Sequence, residues 1–536
     1  MADLKKTPDP FAIHTNRRSA RWRRALLFRG LAVVLGLLPF FVIELGLRAF
    51  GLGRPDWHDD PFVGFSSVRP LFELNDSGER YEIARSKRTH FYPESFAVRK
   101  EPREFRIFCI GDSTVQGNPW TTETSFTKWL ELSLNAAEPA RNWDVINCGG
   151  ISYASYRMLP ILEEVLRYQP DLVVVHCSHN EFLEDRTYGE LKRTPRWLWR
   201  SHEQVSRLRL FNVLRSALRS GGRGSRRADE ADDRQQQIRL GGSLALPITP
   251  PHDDSGTQSG TSVLTGEVEA LLDYRGGLEL YHRDEAWQRG VIAHYEFNLR
   301  RMTSIAQQAG VPLILMNPAC NLRDSPPFKA EQRAGLTEQE RRQWDDLWTQ
   351  ARANYAAQPI EALRLLREAL AIDDQHAGLH YDLAKCYDSL SQFSDARAEY
   401  LRAKELDVCP LRILEPMNDI VRQVGSDTRT PVVDVRTLFD RLSRDGIPGG
   451  DWFADHVHPT IPGYQRVADE LADELVRLRL VHPQAEWLDR KQQGYAKHLD
   501  SLPPLYFFRG QQRLRSLMLW AYGRVTKERP SVPPPQ

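Results

Sequence analysis

The chain has 536 residues, 72 of them lysine or arginine and 71 aspartate or glutamate, and the net charge of +1 gives no global basic field to hold nucleic acid. The length suggests about three to four units, and a hydrophobic content of 41% can bury a sizeable core. The six cysteines include no Cys-x-x-Cys; Cys109, Cys148 and Cys177 lie in or beside apolar runs and read as buried free thiols, with a disulfide between two of them left open.

Residues 1–24 form a basic N-terminus, and 25–50 are mostly apolar (ALLFRGLAVVLGLLPFFVIELGLRAF). A spanning helix needs roughly 20 mostly apolar residues, and cations ahead of it, here Lys5, Lys6, Arg17, Arg18, Arg21, Arg23 and Arg24, belong on the cytoplasmic side. No small-x-small cleavage site follows, so the segment predicts an uncleaved signal anchor. A single-pass protein of the cell membrane follows, with everything after residue 50 outside the cytoplasm. Glu44 is awkward in such a helix unless it pairs with Arg48 at i+4; a buried core helix is the alternative.

Residues 51–104 show no clear period and read as a juxtamembrane stretch. From 105 onward short apolar runs alternate with helical patterns. Strands are expected at Phe105–Ile110, Asp144–Cys148, Asp171–Cys177, Pro312–Met316 and Pro431–Val435. Helices are expected at Ser125–Asn135, Tyr156–Tyr168 and His294–Ala309. This alternation predicts an α/β fold, a parallel sheet flanked by helices, with ligands beyond the carboxyl ends of its strands. The first part of this domain runs from 105 to 342, interrupted at 219–262 by a Gly-, Ser-, Arg- and Asp-rich insertion that reads as disordered. Residues 343–408 carry a period of 34: Ala362, Leu366 and Ala369 recur as Ala396, Tyr400 and Ala403, the pattern of tetratricopeptide helix pairs. An ordinary helical hairpin is the alternative. The α/β domain resumes over 409–480, and 481–536 form a helical extension with an unstructured tail at 530–536.

The chemistry-bearing residues sit at strand ends. Ser113 follows the first strand of the domain, in Gly111-Asp112-Ser113-Thr114. A serine hydroxyl needs a base, and the base an orienting acid; Asp455-His456-Val457-His458-Pro459 supplies both. An acyl-transfer site also needs oxyanion donors, and the Ser113 N–H, the Asn180 side-chain amide and the turn Asn147-Cys148-Gly149-Gly150-Ile151-Ser152 are the candidates. Val115 stands where a Gly-x-Ser-x-Gly elbow would have its second glycine. In isolation Ser113 could simply cap a helix and Asn180 sit in a turn. His456 and His458, with His176 and His179, could instead ligate a metal, although no full ligand set is evident. Arg323 and Arg412 could hold an anionic group or form ordinary salt bridges.

In their order, these blocks resemble the SGNH (GDSL-type) hydrolases over about 105–215, 290–340 and 410–478. The resemblance implies a three-layer fold of that type, with Ser113 as nucleophile, His458 as base, Asp455 as its orienter and Asn180 as an oxyanion donor. The glycine of the second block falls on Ser152, with Gly150 two residues earlier, so either backbone N–H could serve. The chain also looks like a subgroup of membrane-anchored bacterial members with inserted tetratricopeptide repeats, on Ser113-Thr114-Val115-Gln116-Gly117, His179-Asn180-Glu181-Phe182 and Asn321-Leu322-Arg323-Asp324. The expectation is a membrane-anchored esterase acting on acyl esters, O-acetyl groups of envelope glycans among them, without a metal or other cofactor. An O-acyltransferase using the same residues, and a scaffold whose repeats bind a protein partner, are the alternatives.

Overall fold

In the computed structural model the described residues are 70–177, 179–186 and 278–525, with 28–29, 35–36, 38–50, 208–211, 213 and 272. The basic N-terminus, the 219–262 insertion and the 530–536 tail lie outside them. Two compact units are present: Met1–Pro61 with Thr194–Gly256, and Phe62–Arg193 with Thr257–Gln536.

The first unit corrects the anchor expected over 25–50. Its described stretch at 38–49 is helical, but among the described residues no helix is long and apolar enough to cross a membrane. The described helical stretch, 38–49, is shorter than the roughly 20 apolar residues a crossing needs, and Glu44 lies inside it. Glu44 accepts from Arg48 Nε at 2.9 Å and from the backbone N–H groups of Arg209 and Leu210 at 3.1 and 3.0 Å, so its carboxylate is held by the chain itself. The membrane partner, the single-pass localisation, the extracytoplasmic placement and the membrane-anchored subgroup all rested on that segment and go with it.

The second unit is built on a five-stranded, all-parallel sheet in the order β5-β4-β6-β7-β8: β4 is Glu104–Gly111, β5 Asn142–Gly149, β6 Leu172–His176, β7 Leu313–Asn317 and β8 Val432–Asp434. Runs buried on both faces suit parallel strands. Along β4, Phe108 and Ile110 enter one core and Ile107 and Cys109 the other, the two-residue period of a strand. Helices α3 (Ser155–Val165), α4 (Glu285–Gln308) and α9 (Glu415–Thr428) cover the first face, with Leu162, Tyr295, Leu299 and Val421 buried there. Helices α2 (Phe126–Ala137), α10 (Val435–Leu442) and α11 (Ile461–Arg477) cover the second with Trp129, Leu130, Phe439, Val467 and Leu471. All six cysteines are free and buried.

The stretch expected to be juxtamembrane is instead, over its described part, a small antiparallel sheet: β1 (Phe72–Leu74), β2 (Arg80–Ile83) and β3 (Ser95–Ala97). It joins the main core through aromatic rings, Phe96 lying 4.9 Å from Phe72 and 5.2 Å from Phe108 between centroids.

The repeat segment forms four helices, α5 (Glu338–Asn354), α6 (Pro359–Ile372), α7 (Ala377–Ser389) and α8 (Phe393–Glu405). Ala362, Ala369, Ala384, Ala396 and Ala403 are fully buried between them. Their core is shared with Cys320, Leu322, Ile447 and Val457 of the α/β domain. At the C-terminus α12 (Trp487–Ser501) packs on α2, where Tyr495 Oη donates to the Trp129 carbonyl at 3.0 Å. Helix α13 (Pro504–Val525) reaches the turn after Ser113, Arg513 Nε donating to the Pro119 carbonyl at 2.7 Å.

Candidate active site

Strand β4 ends at Gly111, and a one-turn helix, α1 (Ser113–Gln116), starts immediately after it. The cap of that helix is Asp112, whose Oδ1 accepts from Thr114 N at 2.9 Å. Ser113 is therefore not needed as a cap. The turn is tight enough to demand glycine: a Cβ on Gly111 would lie 2.2 Å from Val115 Cγ2, and one on Gly149 2.2 Å from Gln116 N. These contacts press α1 against the ends of β4 and β5.

His458 Nε2 lies 2.8 Å from Ser113 Oγ, and His458 Nδ1 lies 2.6 Å from Asp455 Oδ2. Asp455 Oδ1 accepts from Val457 N and His458 N at 2.9 and 2.8 Å. Burial alone would raise the Asp455 carboxyl, but the adjacent His458 and His456 and the bonds from His458 hold it well below the usual carboxylate range. An ionised carboxylate only accepts, so Nδ1 of His458 carries the proton and Nε2 is left to accept from the Ser113 hydroxyl. The loop is fixed from three sides. Asn321 Nδ2 donates to the Asp455 carbonyl at 3.1 Å, and Ala454 N to the His458 carbonyl at 2.8 Å. Thr460 caps α11 through Gly463 N. Tyr464 of that helix donates to the Asn118 carbonyl at 2.8 Å, linking the base's helix to the serine's turn.

The oxyanion candidates separate. The Gly150 N–H is taken by the Gly111 carbonyl at 3.0 Å, and the Ile151 N–H by the His90 carbonyl at 2.9 Å. The Ser152 N–H makes no hydrogen bond among the described residues, and Ser152 sits at φ 59°, the left-handed region that non-glycine residues seldom enter. Asn180 Nδ2 lies 3.5 Å from Asp112 Oδ2, which also accepts from His179 N at 3.0 Å. The Asp112 carboxylate thus ties the serine's turn to the Asn180 turn. Sequence reasoning passed over this role although Asp112 adjoins Ser113. Glu181 was also passed over: it accepts from Ser155 N and Oγ at 2.5 and 3.0 Å, joining the Asn180 turn to the segment that follows Ser152.

The remaining histidines are buried for packing. Burial lowers His456 to about 4, against the opposing pull of Asp455, and its ring meets Phe328 edge-on at 5.1 Å. Burial lowers His176, with Asp112 opposing, and burial with neighbouring histidines takes His179 well below its ordinary value. Among the described residues no group of three or more metal-ligating side chains is arranged to hold an ion. Arg323 pairs with Asp388 and Asp445 at 2.9 and 3.2 Å. Arg412 donates to the carbonyls of Asn321 and Ser325 at 3.0 and 2.8 Å. Both work as braces of the loop beside Asp455.

A tetratricopeptide repeat family model matches residues 355–408. No curated protein matches. Among solved structures the chain is similar to an acetylxylan esterase from Geobacillus stearothermophilus, with 11% identity, TM-score 0.30 and coverage of 70% of this chain and 94% of that one. A lipase/acylhydrolase from Enterococcus faecalis gives 14%, 0.29, 71% and 98%. An α/β hydrolase from the metagenome of Lake Arreo, Spain, gives 12%, 0.29, 70% and 96%. At these scores the likeness decides nothing about chemistry at Ser113, which rests on the distances above.

Proposed function

We propose that the protein is a serine hydrolase that cleaves carboxylic esters through an acyl-serine intermediate. The observation that carries this reading is the continuous hydrogen-bonded chain from Ser113 Oγ through His458 to Asp455. As Oγ attacks the ester carbonyl, His458 Nε2 takes its proton, and the Asp455 carboxylate stabilises the imidazolium that forms. The negative oxygen that develops is met by the N–H groups of Ser113 and Ser152 and by the Asn180 amide. His458 returns the proton to the leaving alkoxide. Water then adds to the acyl-serine by the same route, and the acid leaves.

The test is covalent labelling of the full chain with a fluorophosphonate, which reacts with an activated serine. Wild-type protein should label, and Ser113→Ala should not while keeping the wild-type circular dichroism. Folded wild-type protein that fails to label would sink the reading.

A further inference from the structure

A small enclosed cavity borders the Ser113–His458 pair. Its wall includes Thr114, the residue after Ser113, and Val457 and Pro459, the residues on either side of His458. His176, the last residue of β6, is part of the same wall. We infer that this cavity is a binding site for one ordered water molecule, which bridges Thr114 Oγ1 to His176 Nδ1 and fixes the serine's one-turn helix against β6. Its bearing on catalysis rests on Ser113 being the nucleophile.

Two orphaned polar atoms carry the inference. Thr114 Oγ1 and His176 Nδ1 are both buried and have no hydrogen-bond partner among the described residues. A hydroxyl or an imidazole nitrogen taken out of water without a partner is destabilising, and buried polar groups are as a rule satisfied by the protein or by ordered water. A third residue keeps the two close together. Asp112 Oδ1 accepts from Thr114 N at 2.9 Å and lies 3.8 Å from His176 Nδ1. The second separation is too long for a hydrogen bond, so Asp112 leaves His176 Nδ1 for another partner.

Size and chemistry select water. The cavity offers about 10 Å³, and one water needs roughly 10–15 Å³. An apolar cavity of this size would stay dry, and much of this wall is apolar, with Phe126, Phe439, Phe453 and Val467. Thr114 and His176 supply the polar partners that change the outcome. Burial lowers His176, with Asp112 opposing, so the imidazole is uncharged and has one donor and one acceptor nitrogen. A threonine hydroxyl rotates to donate or accept, and a water that does both complements either tautomer. A metal ion fits poorly: no carboxylate stands among the described lining residues, and the Asp112 oxygens are engaged by Thr114 N and His179 N. Helix α1 is then held along two lines, by Asp112 through Thr114 N and by the water through Thr114 Oγ1.

The experiment has two arms, both on the full chain. A crystal structure that resolves ordered waters should show one peak within hydrogen-bond distance of both Thr114 Oγ1 and His176 Nδ1. The peak should be lost in Thr114→Val, which keeps the shape and removes the hydroxyl. The second arm follows fluorophosphonate labelling of Ser113, separating the maximal rate from the half-saturating concentration. Thr114→Val should lower the maximal rate ~10-fold with half-saturation unchanged, and Thr114→Ser, which keeps the hydroxyl, should stay within about twofold of wild type, because a small displacement of the nucleophile acts on the reacting step. A dry cavity in wild-type protein, or Thr114 Oγ1 bonded directly to a protein group, would overturn the site. A bound water with equal labelling rates in wild type, Thr114→Val and Thr114→Ser would overturn its positioning role. A bound water in folded wild-type protein that never labels would uphold the site and overturn the ester reading instead.

Discussion

Two neighbouring residues, Asp455 and His456, are pushed in different senses by the same burial. Asp455 stays charged because His458 and backbone donors outweigh its desolvation; His456 stays neutral because nothing outweighs it. The consequence is a pH dependence of stability with a definite sign. Folded His456 takes up its proton only near pH 4, the unfolded side chain near 6.5. Between these values the unfolded chain binds more protons, so stability rises with pH across the window and is complete above it. The Asp455 contribution is lost only below the ordinary carboxylate range, about 3.9, and so leaves this window clear. The His456 share is at most on the order of 3 kcal/mol. His90, lowered by burial to about 3, acts in the same direction. Burial raises Glu94 and Asp407 to about 7 and these act the other way, so the test is a difference: between pH 7.5 and 4 the wild-type denaturant midpoint should lose ground on acidification relative to that of His456→Leu. An identical slope in the variant would refute the assignment.

Among the elements, strand ends and turns carry the candidate site, and they were legible to different degrees. β6 and β7 stand out as nearly continuous apolar runs because both faces are buried, and β4 and β5 remain legible although Arg106, Asp144 and Asn147 interrupt them. β1–β3 are three or four residues each, too short for a period to show, and their packing through Phe72 and Phe96 is a tertiary fact. Ser113 and the Asp455–His458 segment were nameable from residue type and spacing, and the choice of His458 over His456 came from the family resemblance. The choice between Gly150 and Ser152 was not legible, since it depends on which N–H the Gly111 and His90 carbonyls already take. Nor was Glu181 visible: a carboxylate beside Asn180 reads as surface until Ser155 is seen to meet it. Its place predicts a function. Removing Glu181 strands the Ser155 N–H and loosens the turn that presents Ser152. Glu181→Ala should cost ~1–3 kcal/mol of stability and lower kcat with KM nearly unchanged, because the donors it sets act on the transition state. Glu181→Gln, which still accepts from Ser155 N, should recover much of kcat. Equal losses in kcat/KM through KM alone would remove the positioning role.

At the scale of the whole second unit, the repeat helices are built into the α/β domain. Lys404, fully buried at the end of α8, donates to the Ile413 carbonyl and to Glu415 Oε1, both at 2.8 Å. Tyr381 of α7 donates to the Arg323 carbonyl at 2.8 Å, next to the Asn321 that holds Asp455. Val457, between the two histidines of the loop, lies in the core of the repeats. That so few repeats must lean on the α/β core was legible from their number, but the residues that make the docking were not, because the 34-residue period reports contacts between repeats and is silent about what their outer faces meet. Two helix pairs seldom bury enough surface to stand alone. Melting should therefore be cooperative across both parts. Leu366, 1% exposed in the repeat core, is the site to probe: Leu366→Ala should cost ~2–5 kcal/mol through lost burial and a cavity. If the two parts form one cooperative unit, the variant will show a single transition at lower temperature, with far-ultraviolet circular dichroism and Ser113 labelling lost together. An early transition that melts helix while labelling persists would instead make the repeats an independent module, and the brace they form around the Asp455–His458 loop would carry no weight.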